Sequence, residues 1–190
     1  MVNKMPGLRA DKYANLRAGY AYMFGHEGKK LLFMGQEFAQ EREWSEEREL
    51  DWYMLQDELN SGMLEYVKFL LNMYRKYPCL HEIDNDWNGF EWVNADDAER
   101  STYSFIRKAS DGKNNLLFVL NMTPVERKDY CVGVPRRKNY RLVLNSDDKQ
   151  FGGNGAEIPA SIRATSEPCD YKPYRITFDL PASSALVFVF

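Results

Sequence analysis

The sequence predicts a mostly β fold: a carboxyl-terminal antiparallel β-sandwich at residues 86–190, preceded at residues 1–85 by helix–strand–helix elements of another architecture. Two patterns carry this division. Up to about residue 85 the apolar residues recur at three- and four-residue spacings around one short apolar run. Beyond it they gather in short segments rich in β-branched and aromatic residues, separated by turn clusters. With 190 residues, 44% of them hydrophobic, the chain has ample material for a core.

Residues 12–24, KYANLRAGYAYMF, place Tyr13, Leu16, Tyr20, Met23 and Phe24 on one stripe, with Asp11 available as N-cap and Gly25 and Gly28 beyond the end. This predicts a helix. Residues 29–35, KKLLFMG, are too short for a helix and suit a strand buried on both faces of a parallel sheet. Residues 61–77 carry Leu64, Val67, Leu71 and Tyr74 on one stripe, with Phe69 and Leu70 beside them, and stop against Pro78, which predicts a second helix. Met54, Met63 and Met73 of this region read as core packing.

Seven strands are then expected, at FEWV, TYSFIRKA, NLLFVLNM, KDYCVGV, NYRLVLNS, YRITFDL and SALVFVF, punctuated by turns such as SDGKN, PRRKN and SDDKQFGGNG. Residues 86–190 are enough for a complete domain. Residues 1–85 are not, because one α/β repeat and a helix cannot cover both faces of a parallel strand. They read as the end of something larger.

Composition narrows the function classes. A net charge of −3 gives no broad basic footprint, so neither nucleic acid nor an anionic membrane is an expected partner. The longest apolar run, Leu31 to Met34, is far short of the roughly 20 residues that cross a bilayer. The amino-terminal segment lacks the apolar core of a signal peptide, and a cytoplasmic location is expected. Cys79, Cys131 and Cys169 are odd in number and widely spaced, which argues against a disulfide framework and against zinc; only His26 and His81 could add imidazole ligands. No metal or other cofactor is expected.

Three constellations invite chemistry. The glycines of FGGNGAE, residues 151–157, are followed by prolines and no helical period, so they read as a surface loop rather than a phosphate cradle. No GxSxG elbow supports a serine hydrolase. Glu37, Glu41, Glu43, Glu46, Glu47, Glu49 and Asp51 follow the expected strand, and the carboxyl end of a parallel strand is where barrel active sites are built. Glycoside chemistry needs two carboxyl groups about 5–9 Å apart on rigid supports, and one loop offers the composition without that geometry. The tryptophans are more suggestive, because a flat apolar face with a polar edge is what a sugar ring stacks on. Trp92, at the junction with the β-region, is the preferred platform.

NKMPG, the run DKYANLRAGYAYMFGHEGKKLLFMGQEFAQEREWSEERELDWYML, GFEWVNADDAERSTYSFIRK, VLNMTPVERKDYCVGVP, VLNSDDKQFGGNG and DLPASSALVFVF, in that order, resemble the carboxyl-terminal part of the bacterial 1,4-α-glucan branching enzymes. The resemblance covers essentially the whole chain. It implies a parent of the α-amylase superfamily, a (β/α)8 barrel followed by an all-β domain, in which KKLLFMG is the eighth barrel strand and residues 1–85 are the truncated barrel end. It also implies transfer of an α-1,4-glucan segment to a 6-hydroxyl. The family's catalytic carboxylates precede NKMPG, so no residue here inherits a catalytic role and the chain alone is expected to be inactive. Glu37 and Trp44 match a segment bordering the glucan cleft, and with Trp92 they are the candidate substrate-binding residues. Glu41, Glu46 and Glu47 make the loop more acidic than the family pattern. An autonomous α-glucan-binding module and the tail of a related debranching or trehalose-releasing hydrolase stay open. A barrel strand without its neighbours presents unpaired edges, so residues 30–50 are expected to be disordered, to self-associate, or to pack on the β-domain.

Overall fold

The structure is a computed structural model that describes residues 1–190. Two helices, α1 (Arg9–Gly25) and α2 (Glu58–Lys76), precede eight strands: β1 (Phe90–Asp97), β2 (Thr102–Arg107), β3 (Leu116–Asn121), β4 (Arg127–Val134), β5 (Asn139–Asn145), β6 (Ser161–Arg163), β7 (Tyr174–Leu180) and β8 (Ser184–Val189). The seven expected strands all form. The eighth, β6, is three residues long, too short to leave a period in the sequence.

The strands make a six-stranded antiparallel sheet in the order β1-β2-β3-β8-β5-β6 and a two-stranded sheet of β4 and β7. Alternation along β3 and β8 shows how the layers stack. Leu116, Phe118 and Leu120 of β3, with Ala185, Val187 and Val189 of β8, join Tyr13, Leu16, Tyr20 and Phe24 of α1 and Met63, Tyr66, Leu70 and Met73 of α2 in one core. Leu117 and Val119, with Leu186 and Phe188, face the other way, onto Tyr130, Val132, Ile176 and Phe178 of the small sheet. The large sheet is therefore sandwiched between helices and a second sheet. Every residue of β3 and β8 is buried, which is why both read as unbroken apolar runs.

Both helices extend further than their stripes predicted, and their caps differ. Asp11 is not the N-cap of α1; it lies one turn inside and accepts a hydrogen bond from the Leu8 backbone N–H at 2.9 Å. Helix α2 begins at Glu58 because Asp57 caps it, accepting from Leu59 N–H at 2.9 Å. Its buried face is Met63, Tyr66, Val67, Leu70 and Met73, while Leu71 is exposed. The stripe through Leu64 and Leu71 is thus rotated away from the core. The rotation brings Gly62 against the Phe151–Gly152 backbone, where a Cβ would lie 2.8–2.9 Å from main-chain atoms. Gly62→Ala is accordingly expected to lower stability by about 1–3 kcal/mol through overpacking, outweighing alanine's helix preference, as a lower urea midpoint with unchanged slope.

The expected strand at residues 29–35 does not form. No strand lies beside it to accept its hydrogen bonds; Met34 and Gly35 take left-handed conformations, and Leu31 and Phe33 are exposed. The segment beyond it is ordered by the helices rather than by the β-domain. Phe38 is fully buried, and the Asn60 side chain of α2 donates to the carbonyls of Phe38 at 2.7 Å and Ala39 at 3.3 Å. Residues 1–85 thereby become a helical layer on the large sheet, and the chain holds one continuous core across the residue 85–86 boundary.

Candidate functional site

The acidic loop is largely neutralised by its own chain. Arg9 of α1 donates to Glu41 at 3.1 Å, to Asp57 at 2.8 Å and to the Asn60 side chain at 3.1 Å. Arg42 grips Asp51 in a two-pronged ion pair, whose hydrogen bonds hold that carboxyl below the usual carboxylate range. These groups line a polar cleft of about 490 Å³ in which each named carboxylate already has a guanidinium partner. Glu43, Glu46, Glu47 and Glu49 point to solvent. The loop therefore offers no unpaired carboxylate pair held for bond cleavage.

The glycine loop after β5 is similarly occupied from within. Asp147, buried, accepts from Asn154 N–H at 2.9 Å, Asn154 Nδ2 at 3.1 Å and Ala156 N–H at 3.2 Å. Those amides close around an internal carboxylate, in agreement with the surface-loop reading.

Glu37 and Trp44 lie on one loop but do different things. Glu37 sits in the short 3-10 turn Gln36–Phe38, half-buried beside Tyr20, whose hydroxyl donates to the Gln36 carbonyl at 2.8 Å. Burial first, and then the Glu37 carboxylate, push the Tyr20 hydroxyl well above its usual range, so it stays a donor. Trp44 is 52% exposed and meets Phe33 edge-on, with ring centroids 5.4 Å apart.

Trp92 belongs elsewhere. On β1 it continues an aromatic row on the helix side of the sheet: His26 at 6.0 Å, Phe90 at 5.1 Å and Phe105 at 5.6 Å between ring centroids. It is 37% exposed, less than a free platform, with the remainder held in the row. That support fixes the ring's orientation. In front of it lies a cavity of about 580 Å³ lined by Trp92, Asn94, Asp96, Asp97, Arg100 and the Asp170–Tyr171 turn, among others. Neither Glu37 nor Trp44 reaches this cavity.

Tyr171 was missed by sequence reading. Cys169 pairs with Lys172 across Asp170 and Tyr171, both with positive φ, a two-residue hairpin turn that throws the tyrosine ring fully into solvent. The turn is anchored: Asn94 Nδ2 donates to Asp170 at 2.8 Å, Gly133 N–H donates to the same carboxylate at 2.9 Å, and Lys172 pairs with Glu91 of β1. On the opposite rim, burial opposes ionisation of Asp97, but hydrogen bonds from Arg100 and Thr102 outweigh it and hold the carboxyl below the usual range. An aromatic side chain at a cavity lined by amide and carboxylate groups can offer a sugar ring an apolar surface and acceptors for its hydroxyls.

The strands form a large antiparallel sheet backed by a small one, an all-β architecture preceded by two helices. The model of the alpha amylase C-terminal all-beta domain matches residues 92–190, more than half of the sequence, and the chain belongs to that family. All 190 residues also align, at 64% identity, with the 1,4-alpha-glucan branching enzyme GlgB of Butyrivibrio fibrisolvens, covering 100% of this chain and 30% of that protein. The enzymes of the same name from Rubrobacter xylanophilus and Bacillus caldolyticus are 45% and 46% identical over 181 residues, which is 95% of this chain and 25% and 27% of theirs. The chain thus spans less than a third of the length of these curated relatives. No helix in it is long and apolar enough to cross a membrane.

Proposed function

We propose that this chain acts as the carboxyl-terminal part of a 1,4-α-glucan branching enzyme, with residues 1–85 belonging to the barrel side and residues 86–190 to the appended β-domain. Its share of the work is to bind α-glucan and support the catalytic region; bond transfer belongs to carboxylates outside this sequence. The observation that carries the reading is 64% identity to a branching enzyme sustained across both regions. A related debranching hydrolase would not be expected to align at this level through residues 1–85 as well as the β-domain. The cytoplasmic setting belongs to the same proposal.

Trp92 is the principal glucan platform, with Tyr171 as its second face; Glu37 and Trp44 shape the cleft on the barrel side. Self-association is proposed through residues 30–35, where the exposed Leu31 and Phe33 supply an apolar surface, rather than through strand pairing. Affinity electrophoresis in gels with and without glycogen tests the binding role. The native chain should be retarded by glycogen, Trp92→Ala should lose most of the retardation, and neither should introduce α-1,6 branches into amylose. Equal mobility of the native chain in both gels would remove the binding role and leave a structural one; branching by the isolated chain would overturn the proposal.

A further inference from the structure

Cys131 and Cys169 are separated by 38 positions in sequence, yet the Cys169 thiol lies 3.3 Å from the Cys131 sulfur. The fold sets up this approach deliberately. Tyr130, Val132 and Val134 of β4 face the core, so Cys131 and Gly133 face outward on the same side of the strand. Over that side lies the Asp170–Tyr171 turn. Gly133 has no side chain, and a Cβ there would overlap the Cys169 carbonyl, so glycine lets the turn lie flat on the strand. Its N–H then holds the Asp170 carboxylate at 2.9 Å, fixing the residue next to Cys169. Both residues are partly exposed, whereas Cys79 is fully buried.

We infer that Cys131 and Cys169 are a thiol–disulfide modification site, closing to an intramolecular disulfide on exposure to a low-molecular-weight disulfide such as oxidised glutathione. Closing the gap from 3.3 Å to the roughly 2.05 Å of an S–S bond needs side-chain rotation over about an ångström. Burial, the contact with Cys131 and the Asp170 carboxylate push the Cys169 thiol up to about 12, so it keeps its proton and donates it toward Cys131. One thiol of the pair, as its thiolate, makes the first attack: its sulfur bonds to one sulfur of oxidised glutathione, the glutathione S–S bond breaks, and one glutathione thiolate leaves. The other thiol, 3.3 Å away, then gives its proton to solvent, and its sulfur attacks the protein sulfur of the mixed disulfide, expelling the second glutathione. Two electrons pass from the protein thiols to the glutathione disulfide; one protein S–S bond and two glutathione thiols result.

The test equilibrates the whole chain across glutathione buffers from fully reduced to fully oxidised, then counts free thiols in denaturant and maps the peptides. The native chain should fall from three free thiols to one, with a peptide joining Cys131 to Cys169. Cys169→Ser and Cys131→Ser should each stop at a glutathione adduct on the remaining cysteine of the pair, because the neighbouring thiol that would displace the glutathione is gone. The oxidised native chain should also melt higher than the reduced one, and that shift should vanish in Cys131→Ser. Retention of three thiols at the oxidised limit, a link to Cys79, or a bridge found only between two chains would overturn the inference. Circular dichroism of each serine variant in the reduced state separates a lost bridge from a lost fold.

Discussion

Arg107→Met should reduce the free energy of unfolding by about 3–5 kcal/mol, the range for breaking a buried charged pair from one side. The Arg107 guanidinium has no exposed surface. It donates to the Gly25 carbonyl at 2.9 Å and the Gly89 carbonyl at 3.2 Å, and faces Asp84 at 3.4 Å. Gly25 is the last residue of α1, so one side chain on β2 closes the carboxyl end of a helix in the other layer and neutralises a carboxylate between them. Methionine fills similar space but removes the side-chain donor of the Gly25 carbonyl and the buried countercharge of Asp84, which keeps only the Gly28 N–H and the exposed Lys29 ammonium. Urea unfolding at neutral pH measures the loss, and a change below about 1 kcal/mol would show that water replaces the guanidinium at little cost.

Phe118→Ala is expected to be comparably damaging, by about 3–5 kcal/mol, because the side chain lies where the helix layer meets the middle of the sheet. Its ring stacks on Phe105 with centroids 4.9 Å apart and planes 8° apart, and a Cβ on Gly25 would come within 2.5 Å of it. So close an approach by α1 leaves no room for collapse into the gap an alanine creates. Phe118→Leu should recover more than half of the loss, since it restores most of the volume. If both variants unfold at the same midpoint, the lost stability comes from the aromatic stack rather than from the cavity.

Much of this fold is legible in the sequence, for identifiable reasons. Tyr13, Leu16, Tyr20 and Phe24 read as a helical face and are one, because a helix carries its own hydrogen bonds and its period survives any tertiary context. The strands of the β-region read well because turn clusters bound them. The run at residues 29–35 failed for the converse reason: apolar composition suits a buried strand, but a strand exists only beside a partner, and partnership is not written locally. Within the candidate site, Trp92 was singled out from its position at the junction. Its partner Tyr171 was not, since a tyrosine in a proline-containing loop carries no period, although the Asp-Tyr pair with its Cys and Lys neighbours was a turn signal left unread. The closeness of Cys131 and Cys169 depends on a glycine two residues away and had no linear signature.

The order of strands in the large sheet has a consequence for how the protein is made. Strand β8 lies between β3 and β5, and its residues are buried on both sides. It is also translated after every strand it joins. Until residues 184–189 have left the ribosome, β3 and β5 lack the neighbour that links them, and the large apolar surfaces on both sides of the gap stay open. The earlier strands wait in the nascent chain as two unjoined halves, β1-β2-β3 and β5-β6, until β8, which follows them in sequence, joins the two.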